Sequence, residues 1–264
     1  MPSVTFTDQM NRQVSIAFPP KRIISLVPSQ TELLYDLGLE EEIVGITEFC
    51  IHPAERFTST TKIGGTKKLN IDLIRSLQPD LIIGNKEEND QEQMEQLMNE
   101  FPVWMSDINN LDDALDMIGH VGNITGMKDK AEEMVTRISH EFARLSVENS
   151  GNPKRIAYFI WKDPYMVAGH QTFINDILER AGWVNAVGTS RYPELDVQEL
   201  KDADPDWIFL SSEPYPFKEK HIAEFKRICP DANVGIVDGE MFSWYGSRLL
   251  LASTYLQTLS ATQG

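Results

Sequence analysis

The sequence predicts an α/β protein built from two similar lobes, each with a central, mostly parallel sheet. Three observations support this prediction: short buried strands alternate with amphipathic helices, the pattern occurs once in each half, and a long helical segment separates the two occurrences. Strands that alternate with helices form parallel sheets, because each helix carries the chain back across a face of the sheet. We therefore expect a lobe over residues 1–126, one long rigid linking helix over 127–149, and a second lobe over 150–264.

The first strand–helix unit illustrates the pattern. Residues 22–27 form a short apolar run that ends before Pro28, and Ser29 and Glu32 then have the spacing of a capping box. A stripe of leucines follows, and Gly38 is expected to end the helix. The same alternation predicts further strands at 43–47, 80–84 and 103–106, and helices at 71–77 and 91–99.

The two halves share a collinear repeat. "NIDLIRSLQPDLIIGNKEE" in the first half pairs with "DVQELKDADPDWIFLSSEP" in the second, so that Pro79 aligns with Pro205 and Glu87 with Glu213. Between the halves, residues 128–148 carry apolar side chains at spacings of three and four, which is typical of one helical face. The repeat therefore indicates two related lobes on either side of a helix.

The composition narrows the range of possible functions. With 41% hydrophobic and 24% charged residues, the 264-residue chain has the composition of a globular protein, and its formal net charge of −16 argues against nucleic acid and anionic membranes as partners. Cys50 and Cys229 are too few for a disulfide framework or a Cys-x-x-Cys zinc site. The N-terminus does not have the pattern of a secretory signal, which leaves open either a removed signal or a cytoplasmic protein.

The loops after the strands are the candidate site. In open α/β sheets ligands bind beyond the carboxyl ends of the strands, and two facing lobes would direct those ends into one cleft. These loops are rich in aromatic, acidic and amide side chains, which suits a bulky ligand with apolar and polar surfaces. The aromatic set is Trp161, Tyr165, Tyr192, Tyr215, Phe217, Trp244 and Tyr245.

The stretch "EFCIHP" allows three interpretations. As metal ligands, Cys50 and His52 supply at most two groups, and Glu87, Glu88 or Asp238 would have to complete the site. As a catalytic pair they lack a third, orienting group. In the interpretation we favour, His52 faces a ligand while Cys50 supports the loop. The nearby "IGGTKKLN" lacks the phosphate-loop pattern and is expected to turn into a helix capped by the asparagine.

Four segments carry a family resemblance: "RIISLVPSQTELLYDLG", "IGGTKKLNIDLIRSLQPDLIIGNKEEN", "LSSEPYPFKEKH" and "DGEMFSWYGSRL". They resemble the helical-backbone (class III) periplasmic substrate-binding proteins of ABC importers, the cobalamin and iron–siderophore receptors, and come closest to the cobalamin-binding branch. The resemblance covers residues 21–256. It implies a binding protein and not an enzyme, a periplasmic or cell-envelope location, and a ligand held between two lobes. No cofactor or protein-bound metal is expected, although the ligand itself carries cobalt or iron.

The resemblance also implies site residues. Pro28, His52, Thr66, Asn85, Glu240 and Trp244 fall where the cobalamin branch has pocket residues. Where that branch has aromatic residues in its first lobe, this chain has His52, Thr66 and Asn85, and a basic residue of the second lobe is replaced by Trp244. The complete predicted ligand-binding set is Pro28, Ser29, Cys50, His52, Thr66, Asn85, Glu87, Glu88, Trp161, Tyr165, Tyr192, Glu213, Phe217, Glu240 and Trp244.

The expected partners follow from the same resemblance. The family docks on its permease through one acidic residue in each lobe; Asp72 matches in the first lobe, whereas in the second Gln198 occupies the aligned position with Glu199 beside it. We expect a monomer that binds a small metal chelate, cobalamin or another corrinoid first and a ferric siderophore or heme second, and that contacts permease subunits. The alternatives are a cytoplasmic carrier or sensor on the same fold, and an enzyme that uses Cys50 or His52.

Overall fold

The computed structural model describes residues 2–145 and 153–261, and these fall into two compact units. The first unit comprises residues 2–108, 112–139 and 245–248. The second comprises residues 109–111, 140–145, 153–244 and 249–261. The expected α/β class with mostly parallel sheets is confirmed, while the domain boundaries proposed from the sequence stay predictions.

The first stretch of chain alternates strands and helices as expected. Its elements are β1 (Ser3–Thr7), β2 (Gln13–Ala17), β3 (Ile23–Ser25), α1 (Pro28–Asp36), β4 (Ile43–Ile46), α2 (Ala54–Ser59), β5 (Gly64–Gly65), β6 (Lys68–Leu69), α3 (Ile71–Leu77), β7 (Leu81–Asn85), α4 (Gln91–Met98), β8 (Val103–Ser106), α5 (Leu111–Thr125) and α6 (Lys128–Ala143).

The sheet of the first unit is entirely parallel, in the order β4-β3-β7-β8. Every residue of β3 and β7 is buried, which explains why these strands read as continuous apolar runs in the sequence. Ile24 and Ile82 of these strands pack with Met94 and Leu97 of α4 in the core. The pairs β1–β2 and β5–β6 are separate antiparallel ribbons.

The second stretch repeats the alternation. Its elements are β9 (Arg155–Trp161), β10 (Met166–Val167), α7 (Phe173–Arg180), β11 (Val184–Asn185), α8 (Val197–Asp202), β12 (Trp207–Ser211), α9 (Glu219–Ile228), β13 (Asn233–Val237), α10 (Glu240–Ser243) and α11 (Leu249–Ala261). The order of its sheet is β10-β9-β12-β13, with β11 also paired to β9. All of these pairings are parallel except that of β10.

The predicted linking helix is found in part. Helix α6 begins at Lys128, as the apolar spacing predicts, and extends to Ala143. Residues 144 and 145 of the predicted helix are a turn and an irregular position, and residues 146–149 lie outside the described residues. Helix α5, which precedes α6, was not anticipated from the sequence.

The capping box predicted at Ser29 is wrong. Helix α1 starts one residue earlier, at Pro28, with Val27 as its N-cap and no side-chain cap. Proline suits the first helical turn because its fixed φ is already helical and the N–H that it lacks would have no intrahelical partner. Glu32 does not reach back to the cap; its carboxylate instead accepts hydrogen bonds from Arg248 at 2.7 and 3.0 Å.

Each unit contains the same Arg–Asp clamp in front of a central strand. Asp80, just before β7, accepts hydrogen bonds from the backbone N–H groups of Lys21 and Arg22, both at 2.8 Å, and the Arg22 guanidinium donates to the carbonyl of Leu77 at the end of α3. In the second unit Asp206 accepts from the backbone N–H of Arg155 at 2.8 Å. The clamp explains the repeated Pro-Asp of the two halves.

We expect Asp80→Ala to lower the free energy of unfolding by about 1–3 kcal/mol, because two backbone N–H groups lose a charged acceptor. Urea denaturation of the purified variant measures this change. The matched control is Asp72→Ala on the neighbouring helix, whose side chain is 91% exposed, and we expect it to change stability by less than about 0.5 kcal/mol. Equal effects of the two substitutions would contradict the clamp.

Candidate functional site

The loops of the first unit that follow its parallel strands share one sheet edge. Pro28 and Ser29 follow β3, the "EFCIHP" loop follows β4, and residues 86–89 follow β7. Pro28 is half-buried, whereas Ser29 is 2% exposed, and the ligand contacts predicted for both residues stay predictions.

Cys50 is an anchor of its loop. The side chain is fully buried, its sulfur accepts a hydrogen bond from the Thr31 hydroxyl at 3.0 Å, and the Thr47 hydroxyl lies at the same distance. Burial raises the pKa of the Cys50 thiol, and these two hydrogen bonds offset only part of that effect. Such a thiol is a poor nucleophile, and it supports the loop as expected, while the ligand contact predicted for Cys50 stays a prediction. His52, two residues on, is half-buried.

Asn85 shapes the loop after β7. Its Oδ1 accepts hydrogen bonds from the backbone N–H groups of Glu87 and Glu88, at 2.8 and 3.1 Å, and its Nδ2 donates to the Ser106 hydroxyl at 3.0 Å. The residue is 2% exposed. Its amide is therefore used to form a turn that holds the two half-buried glutamates, which is a positioning role where the sequence predicted a ligand contact.

Asn89 ties three segments together and was missed in the sequence. Its Oδ1 accepts from the backbone N–H of Asn85 at 2.8 Å, while its Nδ2 donates to the carbonyls of Leu26 and Thr66 at 3.3 and 3.1 Å. Lys67 adds hydrogen bonds from its Nζ to the carbonyls of Glu87 and Asn89. Half-buried Thr66 thus lies on a hairpin that is fixed to the β7 loop.

Two carboxylates of the first unit have partners far along the chain. The Tyr245 hydroxyl donates to Glu88, and Arg248 donates to Glu32. Burial raises the pKa of Glu32, and the Arg248 charge opposes that rise without cancelling it. Nothing in the sequence near Glu32 signals an arginine 216 positions away.

In the second unit, two side chains hold the carboxylate of the predicted ligand residue Glu213. Its Oε1 accepts hydrogen bonds from the Ser243 hydroxyl and the Trp244 indole N–H, both at 2.9 Å. Burial is the main cause that raises the pKa of Glu213, and the nearby acid Glu240 adds to it. Trp244 is 7% exposed, and its indole N–H is used in this hydrogen bond. Glu240, at the start of α10, is half-buried.

The predicted aromatic residues divide into surface and core. Trp161 is 41% exposed at the end of β9, and Tyr192 lies half-buried under the guanidinium of Arg191. Phe217 is 4% exposed within the hydrophobic core of the second unit, and the ligand contact predicted for it stays a prediction. Tyr165 also packs against this core and donates its hydroxyl to Glu224.

The predicted docking residues occupy equivalent helices. Asp72 in the first turn of α3 contacts Arg75 at 2.8 Å, and Asn70 caps that helix as predicted. Glu199 in the first turn of α8 accepts a hydrogen bond from the backbone N–H of Asp196, so its carboxylate closes a capping box. The two positions are thus chemically different.

Over residues 2–145 and 153–261, no group of three or more His, Cys, Asp and Glu side chains is placed to hold a metal ion. Within the same described residues, no helix combines the length and apolar character needed to cross a membrane.

We expect Glu213→Gln to change how stability depends on pH. A carboxyl whose folded pKa is raised favours the native state below its unfolded pKa and loses that contribution as the pH rises through the folded value. Glutamine keeps an oxygen acceptor for Ser243 and Trp244 but does not ionise. The variant's free energy of unfolding, relative to the natural protein, should therefore rise as the pH increases from about 4.5 towards 8. Urea titrations across this range measure the difference, and a constant difference would contradict it.

The comparisons with known proteins agree with this architecture. The vitamin B12-binding protein of Pectobacterium carotovorum subsp. carotovorum (strain PC1) is 27% identical over 240 residues, which cover 89% of this chain and 86% of the relative. The uncharacterized ABC transporter substrate-binding lipoprotein YvrC of Bacillus subtilis (strain 168) is 26% identical over 200 residues, covering 69% of this chain and 63% of the relative.

Among solved structures, the periplasmic heme-binding protein RhuT from Roseiflexus sp. RS-1 has the same fold, with a TM-score of 0.81 and 23% identity over 92% of this chain and 98% of that chain. The sequence model of the periplasmic binding protein family matches residues 23–227, which include the repeated elements of both halves. This chain therefore belongs to the periplasmic binding protein family.

Proposed function

We propose that this protein is the substrate-binding protein of an ABC importer and that it captures a metal-containing chelate. Cobalamin or another corrinoid is the first candidate, and a ferric siderophore or heme is the second. The observation that carries this proposal is the similarity to a vitamin B12-binding protein along 89% of the chain. The family is one of binding proteins and not of enzymes, and the buried, protonated thiol of Cys50 agrees with that.

The loops of the first unit support ligand capture. Thr66, Glu87 and Glu88 lie on segments that internal hydrogen bonds hold in place, and His52 lies on the loop anchored by Cys50. A site that is rigid before the ligand arrives loses less conformational entropy on binding. In the second unit, Trp161, Tyr192 and Glu240 retain exposed surface and are the proposed ligand residues of that unit.

The permease is the proposed second partner. Asp72 offers an exposed carboxylate for a basic residue of the permease, and Glu199 offers one whose oxygen is shared with its helix cap. A receptor of this kind works in the cell envelope, as the names of the periplasmic and lipoprotein relatives indicate. None of these relatives favours a cytoplasmic carrier.

Calorimetric titration of the ligand-free protein tests the proposal. We expect submicromolar affinity for cyanocobalamin or cobinamide, corresponding to more than about 8 kcal/mol of binding free energy. A ferric hydroxamate and hemin are titrated in parallel. Tight binding of one of these in place of the corrinoids would select the second candidate, and no heat with any of the four chelates would reject the proposal.

We expect His52→Ala to weaken binding of the preferred chelate at least tenfold, which is about 1.4 kcal/mol. The substitution removes the imidazole that the proposal places against the ligand. The matched control is His140→Ala on α6, whose side chain is 67% exposed, and this variant should bind as the natural protein does. Equal affinities of the two variants would contradict the assignment of His52 to the ligand site.

A further inference from the structure

The loop between β12 and α9, residues 212–218, carries the predicted ligand residue Glu213 and also Tyr215. Tyr215 is half-buried, and its ring meets the ring of Trp161 edge-on, with 5.5 Å between the ring centroids. The backbone N–H of Tyr215 donates to the carbonyl of Ile160 on β9 at 3.4 Å. The position of this loop therefore affects both Glu213 and Trp161, which the sequence places at the ligand.

The imidazole of His221 holds the end of this loop. His221 lies in the first turn of α9, and its Nδ1 accepts a hydrogen bond from the backbone N–H of the N-cap residue Lys218 at 2.9 Å. The imidazole thus takes the place that glutamate or glutamine has in a capping box. His221 is 5% exposed, and its ring centroid lies 5.7 Å from that of Tyr215 and 5.5 Å from that of Phe217. One side chain therefore contacts the loop at three positions.

Only a neutral imidazole can accept this hydrogen bond. In the neutral ring one nitrogen carries the proton and the other accepts, whereas both nitrogens of the imidazolium ion are donors. A protonated His221 would direct an N–H group at the N–H group of Lys218 where an acceptor is needed. Protonation therefore removes the cap and replaces an attraction with a repulsion.

The surroundings of His221 favour its neutral form. Burial is the main cause that holds the pKa of His221 below its ordinary value. Three lysines add to this effect through their positive charges: Lys220, Lys162 and Lys218. The carboxylate of Glu224 opposes them, but it is shared with the ammonium group of Lys162 at 3.1 Å and with the hydroxyl of Tyr165, which donates to it. The cap is therefore present at neutral pH and is lost as the pH falls from about 6.5 through the lowered pKa of His221.

We propose that His221 is a positioning residue of the ligand site in the second unit: its neutral imidazole orders residues 212–218, and its protonation weakens chelate binding. The proposal rests on the proposed function and adds a regulation of that site by protons. A loop that is ordered in only a fraction of the molecules lowers the observed affinity by that fraction. One capping hydrogen bond is enough to change such a population about fivefold.

The test compares affinities at about pH 7.5 and about pH 5, on either side of the ordinary histidine pKa. The probe is cobinamide, or the chelate that replaces it in the titrations above. In His221→Gln the side chain keeps an acceptor for Lys218 at every pH, so this variant should bind within about twofold of the natural protein at the higher pH. Between the two pH values the natural protein should lose at least about threefold more affinity than His221→Gln does. Other ionisable side chains are the same in both proteins, so their contribution cancels.

Two further variants complete the comparison. His221→Leu keeps an apolar side chain without an acceptor and should bind about fivefold more weakly than the natural protein at the higher pH. The matched control is His140→Gln on α6, whose side chain is 67% exposed, and this variant should follow the natural protein at both pH values. A circular dichroism melt at each pH verifies that the fold is kept, and His221→Gln tests the proposal should His221→Leu not fold.

The outcomes separate the inference from the proposed function. If a chelate binds but the natural protein and His221→Gln lose the same affinity at the lower pH, the inference is wrong and the transport proposal stands. Binding by His221→Leu that equals that of the natural protein at the higher pH would equally overturn the positioning role. If none of the four chelates binds, both proposals fail. Nitrogen-15 NMR adds a readout without ligand: the protection factor of the Lys218 amide should fall towards pH 5 in the natural protein and stay constant in His221→Gln.

Discussion

The hydrogen bonds of one buried side-chain amide, that of Asn89, order the candidate site of the first unit. Its three partners lie on the end of β3, the glycine hairpin and the last residue of β7, so a single residue fixes three loops that meet at one sheet edge. Buried amides are stable only when their donors and acceptors are satisfied, which makes the positions of the three loops interdependent. Gly84 permits this arrangement, since a Cβ atom there would lie 2.9 Å from Oδ1 of Asn89.

The two halves share the hydrogen bonds at the start of a strand and differ in the loops that follow the strands. The clamps at Asp80 and Asp206 are alike because both satisfy backbone N–H groups at the start of a parallel strand. Asp80 accepts from Arg22 and Asp206 accepts from Arg155. After the strand, the first unit uses Asn85 to turn two glutamates towards its surface. The second unit instead draws Glu213 between Ser243 and Trp244. Ligand recognition can therefore diverge between the halves without disturbing the sheets.

Local sequence signals predicted the fold better than the site. Helix α3 and its cap at Asn70 follow from spacing and capping chemistry, which involve residues within one turn of each other. Phe217 sits between proline and charged residues, as loop aromatics do, yet tertiary packing buries it. The partner of Glu32 could not be predicted from the sequence either, because no local rule connects Glu32 with Arg248. Side-chain direction and long-range pairing depend on the folded chain, and the site depends on both.

In the "EFCIHP" loop, a cysteine, which is a reactive residue type, has a structural role as the anchor of the loop. A nucleophilic cysteine needs a thiolate and solvent access, and the burial that raises the pKa of Cys50 removes both. The same burial fixes the residues on either side of it in the chain. A loop anchored at its centre orders its exposed residues before a ligand arrives, so less of the contact free energy is lost to ordering the loop. The thiol thus orders its neighbours in the chain, which is what the proposed receptor function asks of this loop.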